Sequence, residues 1–277
     1  MPIYADAKAF INELLKKVKK IKVKPLSSWL LRCQEWKEKY PVVLAEHRMH
    51  RGSVSTYYFS EVLADELSNN DLIVPGSSGN CVEIFLLVFK VKSGQRVFHN
   101  RGLGAMGFGL PASLGACIAS GRRRTICVDG DGGFQLNIQE LETVAHLKLP
   151  IKFFVMNNRG YASIRAMQKN YFQQLVGADS ESGLTLPDIT KVAAAYGLHT
   201  MRIVDQNDLR NQIRDILNIP GPVICEVMTM PDEIRAPRLS SKQKSDGSMI
   251  SKPLEDLWPF LERQEFLSNM LIEPLEE

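Results

Sequence analysis

Thr125-Ile-Cys-Val-Asp129-Gly130-Asp131-Gly132-Gly133 and Ile151-Lys-Phe-Phe-Val-Met-Asn157-Asn158 are the two stretches that decide the fold. Each is an apolar run of strand length that closes on residues suited to a tight turn, and a helical pattern follows. The runs are apolar at successive rather than alternate positions, which is the pattern of strands covered on both faces. Similar runs lie at 72–75, 97–99, 199–204 and 223–228, with helical segments at about 107–120, 138–147, 187–196 and 208–217. Helical patterns at about 5–20, 29–39 and 54–67 precede them; in the last, Tyr58, Val62, Leu63 and Leu67 recur at helical spacing. The expected fold class is therefore α/β, a three-layer parallel sheet with helices on both faces.

Ligands of such sheets bind beyond the carboxyl ends of strands. Asp131 and Asn158, 27 positions apart, both lie there. A carboxylate and an amide oxygen are hard ligands suited to Mg²⁺, which usually completes its octahedron with water and phosphate oxygens. Gly130, Gly132 and Gly133 leave room for backbone N–H groups to approach a diphosphate, and the next helix would point its positive end at it. The residues read as a metal–diphosphate clamp; a tight turn plus a capping asparagine is the plainer reading of the same letters. Asp129, Asp131 and Glu140 also imitate a calcium-loop spacing, but Phe134 occupies the sixth position where that loop needs glycine. Asn137 and Glu140 look like a capping box opening the following helix.

Gly130-Asp131-Gly132-Gly133 followed by Asn157-Asn158-Arg-Gly160-Tyr161 resembles the thiamine diphosphate motif of acetolactate synthases, pyruvate decarboxylases and their relatives. Gly102-Leu-Gly104-Ala-Met106-Gly-Phe-Gly-Leu-Pro-Ala112 is similar to the acetolactate synthase subgroup, and the resemblance runs from about Ala5 onward. It implies thiamine diphosphate and Mg²⁺ as cofactors, with Asp131, Asn158 and the backbone carbonyl of Gly160 as metal ligands. It also implies that the Gly104 carbonyl accepts a hydrogen bond from the aminopyrimidine and that Met106 props the cofactor in its bent form. Methionine is equally at home as apolar filler there. Ser77, Ser78, Gly79 and Asn80 follow the first strand and are expected to hold the terminal phosphate, with a plain loop and helix cap as the alternative. Acetolactate synthases carry Gln and His at that place, so the chain departs from them here. Tyr161 and Ile164 are expected on a helix flanking the cofactor, Ile164 as a wall of the thiazolium pocket. Arg165 would either meet an anionic substrate or be solvated or ion-paired.

In that family three domains share the work: pyrimidine-binding, central and diphosphate-binding. The resemblance divides this chain into 1–50, the helical tail of a central domain with its linker, 51–230, the diphosphate-binding domain, and 231–277, a C-terminal tail that would serve as an active-site lid or simply wrap the surface. No residue matches the glutamate that activates the cofactor, so a pyrimidine-binding domain is expected from a partner subunit or from the missing half of a longer chain. The implied chemistry is decarboxylation of a 2-oxo acid, with pyruvate expected, followed by carboligation or protonation. A catalytically silent cofactor-binding or assembly subunit is the alternative. FAD is not expected on this chain alone, and a homo- or hetero-oligomer is expected, because half a cofactor site exposes an interface.

Composition sets limits around this reading. Hydrophobic residues make up 44%, charged residues 23%, and the net charge is +3, which is ordinary for a soluble globular chain and points to no polyanion partner. Lys16, Lys17, Lys19, Lys20, Lys22 and Lys24 form a basic run without interleaved aromatics, expected as a solvated helix face rather than a nucleic-acid patch. The five cysteines lack zinc or CxxC spacing and read as small core residues of a reducing compartment. With no signal-peptide pattern and no apolar run of membrane-spanning length, no membrane partner is expected and the cytoplasm is the expected location.

Overall fold

The computed structural model of the chain describes residues 2–18, 20, 26–77, 79–100, 102–243 and 249–274. Expectations that fall on Lys19, Lys22, Lys24 and Ser78 lie outside the described residues. Two compact units divide the chain, Met1–Pro41 and Val42–Glu277.

The first unit holds α1 (Ala7–Val18) and α2 (Ser27–Lys39). In α2, residues four and seven apart share a face: Trp29 meets Trp36 edge-on at 5.7 Å, and the Arg32 guanidinium lies 5.4 Å over the Trp36 ring.

The second unit opens with α3 (Ala45–Met49) and α4 (Thr56–Glu66) and continues β1 (Leu72–Pro75), α5 (Asn80–Val88), β2 (Arg96–Val97) and α6 (Gly109–Ala119). Then follow β3 (Thr125–Gly130), the single helical turn α7 (Asp131–Phe134), α8 (Glu140–Leu147), β4 (Ile151–Asn157), α9 (Ala162–Phe172), α10 (Ile189–Ala195), β5 (His199–Ile203), α11 (Leu209–Asn218) and β6 (Val223–Met228). A small antiparallel hairpin, β7 (Ser241–Gln243) and β8 (Met249–Ser251), and α12 (Arg263–Asn269) complete it. All six strands of the main sheet run parallel, in the order β2-β1-β3-β4-β6-β5.

Strand periodicity sorts the core into two layers. Ile126 and Val128 of β3, Phe154 and Met156 of β4, and Val223, Cys225 and Val227 of β6 pack with residues of α4, α5 and α11. The alternating neighbours Cys127, Ile151, Phe153, Val155 and Ile224 pack with α6, α8 and α10. Successive side chains of a strand point to opposite faces, so unbroken apolar runs are what a sheet covered on both sides requires. Each fully buried Ile, Val or Phe contributes about 1.5–3 kcal/mol, and this double layer is the main source of stability.

The sequence reading placed the six strands but missed α5. That helix is nearly apolar throughout, since Cys81, Val82 and Phe85 enter one core cluster while Ile84 and Val88 enter another with Tyr57 and Val43. A helix buried on two sides has no polar stripe to reveal its period. Two further departures concern caps. Asn137 and Glu140 form no capping box: α8 begins at Glu140 behind Gln139, and the Asn137 amide instead donates to the Gly107 carbonyl at 2.9 Å. The start of the C-terminal tail, in turn, is firmly attached. Glu233 accepts from Ser55 Oγ (2.7 Å) and from the Thr56 N–H (2.9 Å), capping α4 from 177 residues away, and Tyr57 Oη donates to Ile234 O and Ala236 O. Among the described residues no helix is long and apolar enough to cross a membrane.

Candidate cofactor site at the ends of β1, β3 and β4

The strand order sets β1, β3 and β4 side by side, with Pro75 in register with Val128 and Gly130 with Met156. Their carboxyl ends therefore deliver three turns to one place: 76–80, 130–133 and 157–161. Asp131 opens α7 in the second of these turns, with its carboxylate buried. The Gly132 N–H donates to Asp131 Oδ1 at 2.8 Å and the Gly160 N–H to Oδ2 at 3.0 Å, so the two turns are joined through this carboxylate. Burial pushes the Asp131 carboxyl up to about 6, against the Gly160 and Gly132 N–H groups that favour its ionised form.

Asn158 is buried beside this turn, and its side-chain Oδ1 has no hydrogen-bond partner. Leaving a buried carbonyl-type oxygen unpaired costs about 1–3 kcal/mol, which a folded protein tolerates where a ligand supplies the missing partner. A carboxylate with two backbone donors and a bare amide oxygen are together an oxygen donor set for a hard cation. Among the described residues no three His, Cys, Asp or Glu side chains gather as a metal site, so a cation here would depend on amide and carbonyl oxygens beside the one carboxylate.

The turn 157–161 has a demanding shape. Asn157 closes it locally, its Oδ1 accepting the Arg159 N–H at 2.9 Å with Arg159 at φ +61°. Gly160 takes φ +134°, and a Cβ there would lie 2.3 Å from the Ala178 carbonyl oxygen, so only glycine fits. Gly132 is required for a different reason: a Cβ would come 2.2 Å from the ring of half-buried Tyr161. Gly130 and Gly133 flank Asp131 half-buried, and Ile164 is half-buried in the first turns of α9.

Among the described residues, Ser77, Gly79 and Asn80 follow the end of β1, and Gly104 approaches Ser77. Ser77 and Asn80 are buried, and Gly79 (φ +75°) precedes α5, with Ser163 Oγ 3.9 Å from where its Cβ would be. The Asn80 amide, however, donates to the Glu233 carbonyl at 3.0 Å, which directs that nitrogen to the tail. Gly104, at φ +60°, has the Ser77 carbonyl oxygen 3.7 Å from its built Cβ, and Met106 is half-buried between Gly104 and Gly107. Asn137, tied to Gly107, connects this segment to the residues after α7.

One further group was not assigned to the site by the sequence reading. Asp129, on β3, is buried with Oδ2 unpartnered and Oδ1 accepting the Gly130 N–H at 2.8 Å. Cβ atoms on Gly76 and Gly109 would come within 2.2 and 2.3 Å of its carboxylate, and one on Gly133 within 3.1 Å. Gly76, the start of α6 at Gly109, and Gly133 thus close around one carboxyl, which burial pushes up to about 7. A charged residue inside an otherwise apolar strand was the available signal. Arg165, expected either to meet an anionic substrate or to be solvated or ion-paired, is buried and ion-paired: its partners are protein carbonyls together with Asp232 at 3.2 Å. These contacts leave its guanidinium engaged by the protein rather than by an anionic substrate.

Comparison with known proteins identifies the family. Residues 77–227 match the family described as thiamine pyrophosphate enzyme, C-terminal TPP binding domain. Similar proteins include the acetolactate synthase large subunit of Cyanidium caldarium, 29% identical over 256 residues, covering 90% of this chain and 42% of that protein. The acetolactate synthase large subunit of Porphyra purpurea is 31% identical over 226 residues, 80% of this chain and 36% of the relative. Acetolactate synthase 1, chloroplastic, of Nicotiana tabacum is 30% identical over 220 residues, 78% of this chain and 32% of the relative. The chain thus spans about two-fifths or less of the length of these relatives.

Proposed function

Because this chain belongs to the thiamine pyrophosphate enzymes through their C-terminal cofactor-binding domain, we propose that the ends of β1, β3 and β4 hold thiamine diphosphate through one Mg²⁺. Asp131, Asn158 and the Gly160 carbonyl are the protein ligands in this reading. The observation that carries it is the buried, unpartnered Asn158 Oδ1 beside a carboxylate fixed by two backbone N–H groups. A divalent cation at that place favours the ionised Asp131 and gives the orphaned oxygen its partner.

When bound, thiamine diphosphate supplies the electron sink for decarboxylating a 2-oxo acid. The part of this chain is orientation. The backbone N–H of Gly133 faces the diphosphate in this reading, that of Gly132 being held by Asp131 Oδ1, and Ser77 and Gly79 line its far end, where Asn80 contributes mainly by fixing the turn to Glu233. Gly104 and Met106 set the ring-binding edge, while Tyr161 and Ile164 exclude water from the side of α9. The relatives are acetolactate synthases, which favours carboligation after decarboxylation and pyruvate as the donor. The activating carboxylate comes from a pyrimidine-binding domain, supplied by a partner subunit or by a further part of a longer chain.

The test is calorimetric titration of thiamine diphosphate into the chain, with and without Mg²⁺, beside Asp131→Ala. Binding that needs both the metal and Asp131 is the expected result. Equal binding by both proteins, or binding indifferent to Mg²⁺, would overturn the assignment.

A further inference from the structure

We propose that Arg165 is the positioning residue of the metal turn and that Asp232, at the base of the C-terminal tail, steadies it; this rests on the metal site proposed above. Arg165 Nη2 donates to the Asn158 carbonyl at 3.0 Å and Nη1 to the Arg159 carbonyl at 3.3 Å. Those carbonyls belong to the two successive peptide planes on either side of Arg159, the residue held at φ +61°. Each plane is pinned at its other end as well. The Arg159 N–H of the first donates to Asn157 Oδ1 at 2.9 Å, and the Gly160 N–H of the second donates to Asp131 Oδ2 at 3.0 Å.

A peptide plane is rigid, so a donor at its carbonyl and an acceptor at its N–H together fix its rotation. Arg165 and Asp131 therefore grip opposite ends of one amide, and Arg165 determines how Gly160 is presented and where the Asn158 side chain leaves the backbone. The planar guanidinium suits this work, since its donors diverge in one plane and keep their charge at any working pH. A lysine offers its donors from a single nitrogen and cannot reproduce the two donor positions, Nη1 and Nη2, that hold these carbonyls.

The remaining donors of Arg165 connect the turn to the tail. Nη2 also donates to the Pro231 carbonyl, and Nε donates to Asp232 Oδ1 at 3.2 Å, where Lys169 reaches the other carboxylate oxygen at 3.2 Å. At the next residue, the Glu233 carbonyl takes the Asn80 amide from the first turn of the site. The segment 231–233 thus touches both the metal turn and the phosphate turn, so movement of the tail is felt at the metal through Arg165.

The experiment is a Mg²⁺ titration of cofactor binding on the full chain at fixed thiamine diphosphate, comparing wild type, Asp131→Ala, Arg165→Lys and Asp232→Asn. Circular dichroism and melting without metal check that each variant is folded. Outer-shell partners of metal ligands typically change metal affinity about 10–100-fold, and Arg165→Lys is expected to raise the Mg²⁺ midpoint by about tenfold while the metal-free fold is retained. Asp232→Asn, at an exposed position, is expected to raise it by about two- to threefold. If Arg165→Lys does not fold, the Asp232→Asn shift decides the question. Unchanged midpoints in folded variants, with wild type still Mg²⁺-dependent, overturn the role of Arg165 alone. Absence of Mg²⁺-dependent binding in wild type overturns the metal site and this inference together.

Discussion

The Gly160 N–H donates to Asp131 Oδ2 at 3.0 Å, joining residues 29 positions apart and closing the end of β3 onto the end of β4. Through this bond a buried carboxylate acquires a fixed orientation from the fold itself. Pre-set geometry of this kind lets binding energy go to the ligand rather than to ordering the loop.

Asn158 tests whether that pre-set geometry serves a ligand. Its Oδ1 is buried and unpartnered, so Asn158→Leu removes a desolvated oxygen that stabilises nothing in the metal-free protein. The variant should be as stable as wild type without metal, or more stable by up to ~1 kcal/mol. It should also lose the rise in melting temperature that Mg²⁺ with thiamine diphosphate gives the wild type. A metal-free loss of ~2 kcal/mol or more would instead mark Asn158 as a structural residue.

Gly132 and Tyr161 are expected to be coupled. Gly132→Ala places a methyl 2.2 Å from the Tyr161 ring, an overpacking that costs about 1–3 kcal/mol. Tyr161→Ala removes the obstacle, so the double variant should recover most of that loss in urea denaturation. Additive losses would mean that glycine is needed for the backbone of α7 and not for the ring.

Glu233 supplies the cap that Ser55 does not give α4, since the Ser55 hydroxyl donates to Glu233 instead of bonding the helix. Glu233→Gln keeps one acceptor oxygen but loses the charge at the helix N-terminus, and should destabilise the protein by about 1–2 kcal/mol. Glu233→Ala should cost more, because it also frees the attachment of the tail. Equal stability of all three proteins in chemical denaturation would show that the cap is replaced by water.

Lys152 gives a pH dependence with a definite sign. Its stem is covered by the sheet on β4 while the part-buried ammonium donates to Gly221 O at 2.7 Å and to Ile219 O. Burial, with Arg124 adding repulsion, pushes it from 10.5 down to about 8. Between about 8 and 10.5 the unfolded chain holds this proton and the folded one releases it, so the contribution of Lys152 to stability rises as pH rises through that window. Below about 8 both states are charged and the burial penalty is complete. The difference in unfolding free energy between wild type and Lys152→Met should therefore move in favour of wild type by on the order of 1–2 kcal/mol from pH 8 to 10.5. Parallel pH curves would contradict it.

The strands and the three turn-forming ends of the site were legible in the sequence because they depend on local patterns. Unbroken apolar runs report burial on two faces, and Gly-Asp-Gly and Asn-Asn-Arg-Gly report turns whose backbone angles few other residues adopt. Tertiary structure alone decided which ends adjoin, since the order β1-β3-β4 follows from crossovers and not from chain order. It alone revealed α5, whose two buried faces erase the helical period, and it reassigned Asn137 from a local cap to the Gly107 carbonyl. Arg165 and Glu233 gain their roles from partners 67 and 177 residues away. Hydrogen bonds of that range leave no periodic trace, because they are set by where the folded sheet brings two turns together and not by the spacing of residues along the chain.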